Sequence, residues 1–211
     1  MLTNESELEL LGALLGDGFV SLASHKYIFG LTGNSITDKD YFNHLTNLIY
    51  FVCNKKVVPK VRSHGIRISV YSKSYCLRLI NDFGFFPGAG KAVNAKIPTF
   101  VLSDWKMLTF VLRGLFDTDG SVFYSKKPGV EKYPSLELTT SSINLANQVK
   151  EGLLIKGFRV TKIRSYFSKL SKHRTYKVCL YGKTNLQRWV EEIGFSNPYK
   201  SLRAKSLLSV P

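Results

Sequence analysis

Residues 10–18 read Leu-Leu-Gly-Ala-Leu-Leu-Gly-Asp-Gly, and residues 112–120 read Leu-Arg-Gly-Leu-Phe-Asp-Thr-Asp-Gly. The two stretches lie 102 residues apart, and the same offset aligns Val58-Pro59-Lys60-Val61-Arg62-Ser63 with Val160-Thr161-Lys162-Ile163-Arg164-Ser165. Further on, Tyr71-Ser72-Lys73 aligns with Tyr181-Gly182-Lys183, and Gly84-Phe85 with Gly194-Phe195, now at an offset of 110. The second copy therefore has room for a longer hairpin loop near Ser168–His173. Two copies of this size are too few to stack as a solenoid. They describe a pseudo-twofold molecule in one chain.

Working outward from either stretch gives the same order of elements. Repeat one predicts a helix near 5–17, strands at 19–24 and 27–34, and a helix from Asp38, its expected cap, to Cys53. Strands at 57–63 and 66–72 turn at His64-Gly65, and a helix at 74–83 stops at Gly84. Repeat two predicts a helix at 104–117, strands at 121–126 and 135–141 and a helix at 143–156. Strands at 158–167 and 175–181 and a helix at 185–193 complete it. The fold class is α+β: two αββαββα repeats, residues 1–85 and 104–211, joined by a Gly- and Pro-containing linker at 86–103.

The quoted stretches also say how the repeats meet. Gly12 and Gly16 lie on one side of the first helix, as Gly114 and Thr118 do on its counterpart. A helical Gly costs roughly 1 kcal/mol relative to Ala. Paired small residues make sense where two helix backbones pack very closely, so these four residues form the expected interface. That packing brings Asp17 and Asp119 together at helix C-termini, where the dipole disfavours anions and the carboxylates repel. A divalent cation reverses both penalties, and carboxylates, waters and phosphate oxygens are a hard-ligand set suited to Mg²⁺.

Composition narrows the partner. The chain carries 30 Lys+Arg against 15 Asp+Glu, a net charge of +15, which points to a polyanion. The surplus is uneven: residues 1–103 hold 11 basic and 7 acidic residues, residues 104–211 hold 19 and 8. With 44% hydrophobic residues the chain can build a core, yet no run approaches a membrane span. The polar N-terminus, Met1 to Glu7, lacks the features of a signal peptide. Cys53, Cys76 and Cys179 have no CxxC spacing and read as reduced thiols. The expectation is an intracellular protein with no membrane partner, in the cytoplasm of a prokaryote or in an organelle.

The second hairpin of each repeat alternates. Ile66, Ile68 and Val70 oppose Arg67, Ser69, Tyr71 and Lys73. Tyr176, Val178 and Leu180 oppose Lys177, Cys179, Tyr181 and Lys183. Such a sheet puts one face on a core and leaves the other, here basic and polar, open. An eight-residue strand spans roughly 26 Å at ~3.3 Å per residue, about eight base pairs of DNA. Two such sheets would cover a site approaching two helical turns, lying in the major groove.

The motifs at 10–18 and 112–120 resemble the two signatures of the LAGLIDADG (dodecapeptide) homing endonucleases, and the similarity extends over nearly the whole chain. Two motifs match the monomeric branch. The resemblance implies saddle-shaped sheets in the major groove and Mg²⁺-dependent cleavage of both strands across the minor groove, leaving short 3′ overhangs. Mn²⁺ could replace Mg²⁺, and Ca²⁺ would support binding without cleavage. It assigns the metal to Asp17 and Asp119, with Gly16 and Thr118 beside them. Asp117 matches an earlier acid of the signature, replaced by Leu15 in repeat one, and is not counted as catalytic. A lysine after the fourth strand matches Lys73 and Lys183, and a polar residue ending the second strand matches Asn34 and Ser141. Such lysines could stabilise charge near the scissile phosphate. Base-reading candidates are the exposed strand residues Thr32, Lys60, Arg62, Arg67, Ser69, Tyr71, Glu137, Thr139, Lys162, Arg164, Tyr166, Arg174, Lys177 and Tyr181.

Two other functions fit the same repeats. An RNA maturase could keep both acids while assisting the splicing of intron RNA. A transcriptional regulator would be expected to lose them. An intron-encoded endonuclease acting on double-stranded DNA as a monomer is the leading expectation. The chain could instead be an excised intein insert, although no splicing-domain residues flank the repeats.

Overall fold

A computed structural model describes residues 3–167 and 173–209, so most of the expected loop at Ser168–His173 lies outside the described residues. Repeat one opens with α1 (Glu5–Asp17), β1 (Gly18–Ser21), β2 (Ile28–Asn34) and α2 (Lys39–Cys53). It closes with β3 (Lys60–Arg62), β4 (Gly65–Tyr71) and α3 (Lys73–Asn81). Two short helices follow, α4 (Lys91–Asn94) and α5 (Thr99–Leu102). Repeat two comprises α6 (Trp105–Thr118), β5 (Gly120–Lys127), β6 (Val130–Thr140), α7 (Ile143–Ile155), β7 (Arg164–Tyr166), β8 (Thr175–Tyr181) and α8 (Lys183–Glu192). A last helix, α9 (Pro198–Leu208), ends the described chain. Each repeat builds an antiparallel four-stranded sheet, in the orders β1-β2-β4-β3 and β5-β6-β8-β7. The αββαββα order is as expected.

The helix seam follows the small residues. A Cβ placed on Gly12 would lie 2.1 Å from the Val111 carbonyl oxygen, and one on Gly114 would lie 2.0 Å from that of Glu9. At Gly16 it would lie 2.0 Å from Thr118 Oγ1. The backbones of α1 and α6 thus touch, and Leu10, Leu11, Leu14, Leu112 and Leu115 splay into the core on either side, fully buried. Glu9 is also buried here. Burial pushes its carboxyl up, but the His44 hydrogen bond at 2.6 Å and Arg113 at 3.6 Å outweigh that and lower it. His44 belongs to repeat one and Arg113 to repeat two, so one carboxylate ties both halves to the seam.

Several boundaries depart from the sequence expectation. Strand β6 starts at Val130 rather than Ser135 because Pro134 sits where β6 pairs only with β5; pairing to β8 begins at Ser135. A proline without an N–H is tolerated on such a one-sided stretch. Strand β7 is limited to three residues, with Val160 contributing only an isolated bridge to Leu180. Asp38 occupies the N-cap position of α2 but makes no capping bond; its Oδ2 accepts from the Asn34 amide at 2.8 Å instead. Gly84 does terminate α3, at φ +64°, with the Phe85 amide donating to Leu79 O at 2.8 Å.

The linker is not a loose tether. The side chain of Gln148 on α7 bonds both backbone groups of Ile97, at 2.8 and 3.0 Å, and Ser142 Oγ donates to Ala95 O at 2.6 Å. The corresponding segment after repeat two returns to repeat one, where Asn197 Nδ2 donates to Asp38 Oδ1 at 3.2 Å. Helix α9 then packs on β5 through Ala204 and Leu207. The segment after repeat one therefore reaches onto repeat two, whereas α9 packs on its own repeat and the link back to repeat one is made by Asn197. No helix among the described residues is long and apolar enough to cross a membrane.

Candidate active site

Asp17 ends α1 and Asp119 caps α6, so the backbone contact at the seam sets both carboxylates between the two sheets. A Cβ on Gly16 would lie 3.3 Å from Asp119 Cγ, which places the second acid against the end of the first helix. Burial raises the Asp17 carboxyl, and Asp38 adds to this against the pull of Lys91 and Lys200. Asp119 is raised to about 7, by burial and then by repulsion from Asp17. These are two acids held where exclusion from water, the helix dipoles and their mutual repulsion disfavour charge.

Two lysines answer that charge, and neither was expected. Lys91, the first residue of α4, donates through Nζ to the carbonyl of Gly16. Lys200, on α9, donates to the carbonyls of Phe116 and Thr118, both at 2.8 Å. Each amine thus bonds carbonyls in the last turn of a motif helix. Burial lowers both lysines, while the acids raise them. Each lysine bonds the motif helix of its own repeat, Lys91 on α1 and Lys200 on α6, while Lys91 also lies beside residues of β6 and Lys200 feels Asp38 of repeat one. Asp117 positions this second lysine. It is buried, its Oδ2 accepts from the Ser196 amide at 2.8 Å, and its carbonyl accepts from Asn197, the N-cap of α9. Extending the repeat alignment past Gly84 and Gly194 would have revealed the pair, since a lysine stands seven residues after the first and six after the second.

The lysines named from the resemblance sit elsewhere. Lys73 starts α3 in an exposed position, its Nζ 5.5 Å from the Tyr27 ring centre. Lys183 starts α8, also exposed. The basic groups that act on Asp17 and Asp119 are Lys91 and Lys200. Asn34 is taken up locally: its Oδ1 accepts from the Ile36 and Thr37 amides at 2.8 and 3.3 Å, which shapes the turn into α2. Ser141, by contrast, lines a small cleft of about 140 Å³ with Gly16, Lys91, Asp119, Thr139 and Thr175. Thr32 also reaches the centre, with Oγ1 3.5 Å from Asp17 O.

The donor set suits a hard cation. Asp17 and Asp119 supply carboxylates, whereas the carbonyls of Gly16 and Thr118, expected beside the metal, are taken by the Lys91 and Lys200 ammonium groups. Among the described residues, no cluster of three or more His, Cys, Asp or Glu residues could hold a metal. The remaining ligands of an ion here must be water and substrate oxygens, as is usual for Mg²⁺.

The raised Asp119 has a stability consequence. The folded chain keeps a proton that the unfolded chain releases near pH 4, so this group favours folding at low pH and loses that effect as pH rises through about 7. In chelator, Asp119→Asn should gain on the wild type as pH rises from about 4 to 7, by roughly 2–4 kcal/mol, and then hold level. Urea denaturation of both proteins across that range tests this; a constant difference contradicts it.

Both sheet faces open beside this centre. On β4 the exposed and buried residues alternate strictly. A concave surface of about 500 Å³ includes Thr32, Lys60, Arg62, Arg67, Ser69 and Tyr71, all six repeat-one candidates. The second face, about 590 Å³, includes Glu137, Arg164, Lys177 and Tyr181, and adds Lys126, Lys127 and Tyr133 from the extended β5–β6 hairpin. Tyr166 lies under Lys177, 5.5 Å from Nζ to ring centre, and Arg174 donates to Ser165 Oγ at 3.0 Å. Lys162 is exposed just before β7. Cys179 departs from the expected alternation: it is on the polar face yet fully buried, covered by Glu137 and Arg164.

Residues 107–194, most of repeat two, match the LAGLIDADG-like domain family. Among curated relatives, the chain is 30% identical over 210 residues to a replication factor C small subunit of Methanocaldococcus jannaschii. That match covers 98% of the chain and 10% of the relative. It is 29% identical over 205 residues to the replicative DNA helicase DnaB of Rhodothermus marinus, covering 90% of the chain and 20% of the relative. The chain thus spans a small fraction of either protein's length. Among solved structures, I-DmoI in complex with DNA and Ca superposes with a TM-score of 0.64 at 17% identity, covering 97% of this chain and all of that one. The homing endonuclease I-WcaI bound to its DNA recognition sequence gives 0.61 at 16% identity, covering 100% and 88%. The family match falls on the repeat built around α6, and the internal repeat and backbone-to-backbone seam extend the same plan to α1. The second repeat thus carries a LAGLIDADG-like domain, and the chain as a whole shares the fold of the homing endonucleases I-DmoI and I-WcaI, with both motif helices on one polypeptide.

Proposed function

We propose that this protein is a site-specific, metal-dependent endonuclease that cuts both strands of a long double-stranded DNA target. The observation that carries the proposal is the placement of Asp17 and Asp119 at one seam, midway between two basic sheet faces. With each sheet in a major groove, the intervening minor groove faces the acids, one acid for each strand. Cleavage across that groove leaves short 3′ overhangs. Two half-sites on one chain make a second copy unnecessary, so the active form is a monomer.

Asp17 and Asp119 would hold the divalent ions, Mg²⁺ or Mn²⁺, with water and phosphate oxygens completing the set, since Lys91 and Lys200 occupy the carbonyls of Gly16 and Thr118. Such ions lower the pKa of a bound water and stabilise the leaving 3′-oxygen. The chain itself supplies rigid positioning through the seam and two cations, Lys91 and Lys200, at the helix ends beside the acids. Ser141 and Thr32 flank the centre from the two sheets. Because the acids alone make an incomplete ligand set, metal should bind tightly only with DNA. The related stretches in a replication factor C small subunit and a replicative DNA helicase make up a tenth and a fifth of those proteins. A module shared by proteins of such different duties suits a mobile element that spreads by cutting DNA.

The experiment is selection from a randomised duplex library in Ca²⁺, followed by incubation of the enriched duplex in Mg²⁺. Defined double-strand cleavage is expected, and a chain that enriches no sequence and cuts none would refute the proposal. On such a target, Lys91→Met or Lys200→Met should slow cleavage about 10²-fold, the scale of losing one charge-stabilising donor. Single variants should accumulate nicked plasmid if each lysine serves one strand. Wild-type rates in single-turnover assays would remove both lysines from the mechanism.

A further inference from the structure

An acid in the middle of a face that binds a polyanion needs a reason. Glu137 is that acid: it lies on β6, its side chain only 9% exposed, and it is surrounded by donors. Lys177 Nζ donates to Oε1 at 2.5 Å and Thr139 Oγ1 at 3.4 Å, while Cys179 Sγ donates to Oε2 at 3.2 Å and Arg164 Nη2 stands 3.6 Å from it. Both carboxylate oxygens are engaged, so Glu137 has little left to offer a base, contrary to its place among the sequence candidates.

The two cations it holds are differently disposed. Arg164 and Lys177 are register partners on β7 and β8, so they stand side by side over the groove. Arg164 uses Nη2 within the sheet, on Cys179 Sγ and Tyr181 Oη, and these bonds engage neither Nε nor Nη1. Lys177 spends one of its three N–H groups on Glu137 and is held more strongly protonated by that bond. Repeat one solves the same problem without an acid. Its counterpart position is Gly30, covered by the Phe19 ring, and Arg67, the counterpart of Lys177, stacks on that ring at 4.4 Å and bonds Ser69 Oγ at 3.2 Å.

We infer that Glu137 is a positioning residue for sequence recognition: it fixes Arg164 and Lys177 as a pair of guanine readers in the half-site under repeat two. Arginine and lysine contact guanine O6 and N7 in the major groove, with roughly 5- to 100-fold discrimination for a well-placed pair. That discrimination depends on the head groups being held, since a loose cation on this face contacts phosphate and reads nothing. Glu137 therefore lowers affinity for DNA in general and raises selectivity.

The inference rests on the endonuclease reading, and the two are separable in one experiment. Wild type, Glu137→Gln, Lys177→Met and Arg164→Met are each used to select from the randomised duplex library in Ca²⁺, with melting temperature as a folding control. Wild type should enrich guanine at neighbouring positions in one half-site. Lys177→Met and Arg164→Met should each lose one of these preferences. Glu137→Gln should lose about tenfold in both, keep the other half-site unchanged, and bind unrelated duplex several-fold more tightly. If wild type enriches no sequence, the proposed function fails and this inference with it. If wild type enriches a site but Glu137→Gln selects the same one, the positioning role is wrong. If Glu137→Gln instead relaxes a cytosine or adenine position that the other two variants leave intact, Glu137 reads a base directly and the inference is overturned.

Discussion

Asp17→Asn and Asp119→Asn should each abolish the proposed double-strand cleavage while leaving specific DNA binding nearly intact. Each change removes one of the two carboxylates at the seam, and among the described residues no cluster of three or more His, Cys, Asp or Glu offers a replacement ligand set for the proposed ion. Charge stabilisation by a catalytic metal is worth several kcal/mol, about 10³-fold or more in rate. Binding depends on the sheet faces, which neither substitution touches. The same variants should be more stable than the wild type above pH 7 in chelator, because each relieves a buried carboxylate raised by desolvation. Cleavage kinetics in Mg²⁺, binding in Ca²⁺ and urea denaturation in chelator measure the three effects separately. Wild-type cleavage by either variant would place the chemistry elsewhere.

Gly12→Ala and Gly114→Ala give the second large effect, and its sign is the test. At an ordinary helical position, Gly→Ala stabilises by roughly 1 kcal/mol. Here the new methyl would stand 2.1 Å from Val111 O or 2.0 Å from Glu9 O. Those are backbone atoms of the facing helix, so no side-chain rotation relieves the overlap. The helices must separate, at a cost of about 3 kcal/mol or more, which lowers the melting temperature by roughly 6–12 °C in a chain of this size. Separation also moves Asp17 away from Asp119, so cleavage should fall further than stability alone explains. Larger side chains at either position, such as leucine, should prevent folding. An unchanged or raised melting temperature for both alanine variants would show that the helices do not meet at these glycines.

Much of this was legible because it is written in local pattern. The Gly-x-x-x-Gly and Gly-x-x-x-Thr spacing specified the seam, since only small residues permit backbone contact. The period-two alternation of Ile66, Ile68 and Val70 specified which face of β4 is open, because strand side chains point alternately. The offset repeat specified the pseudo-twofold plan, and with it the meeting of Asp17 and Asp119. What the sequence left undecided depended on contacts between distant segments. Lys91 stood in a stretch with the composition of a linker, and Lys200 lay beyond the last expected helix. Neither has a local signature, because what draws each to the centre is a helix C-terminus far away in the chain. Lys73 and Lys183 occupy matching places in the repeat, but starting α3 and α8 leaves them exposed at helix N-termini. Glu137 looked like any outward strand residue. Only the pairing of β6 with β8, and of β8 with β7, put three donors around its carboxylate and changed a base reader into a residue that aims others.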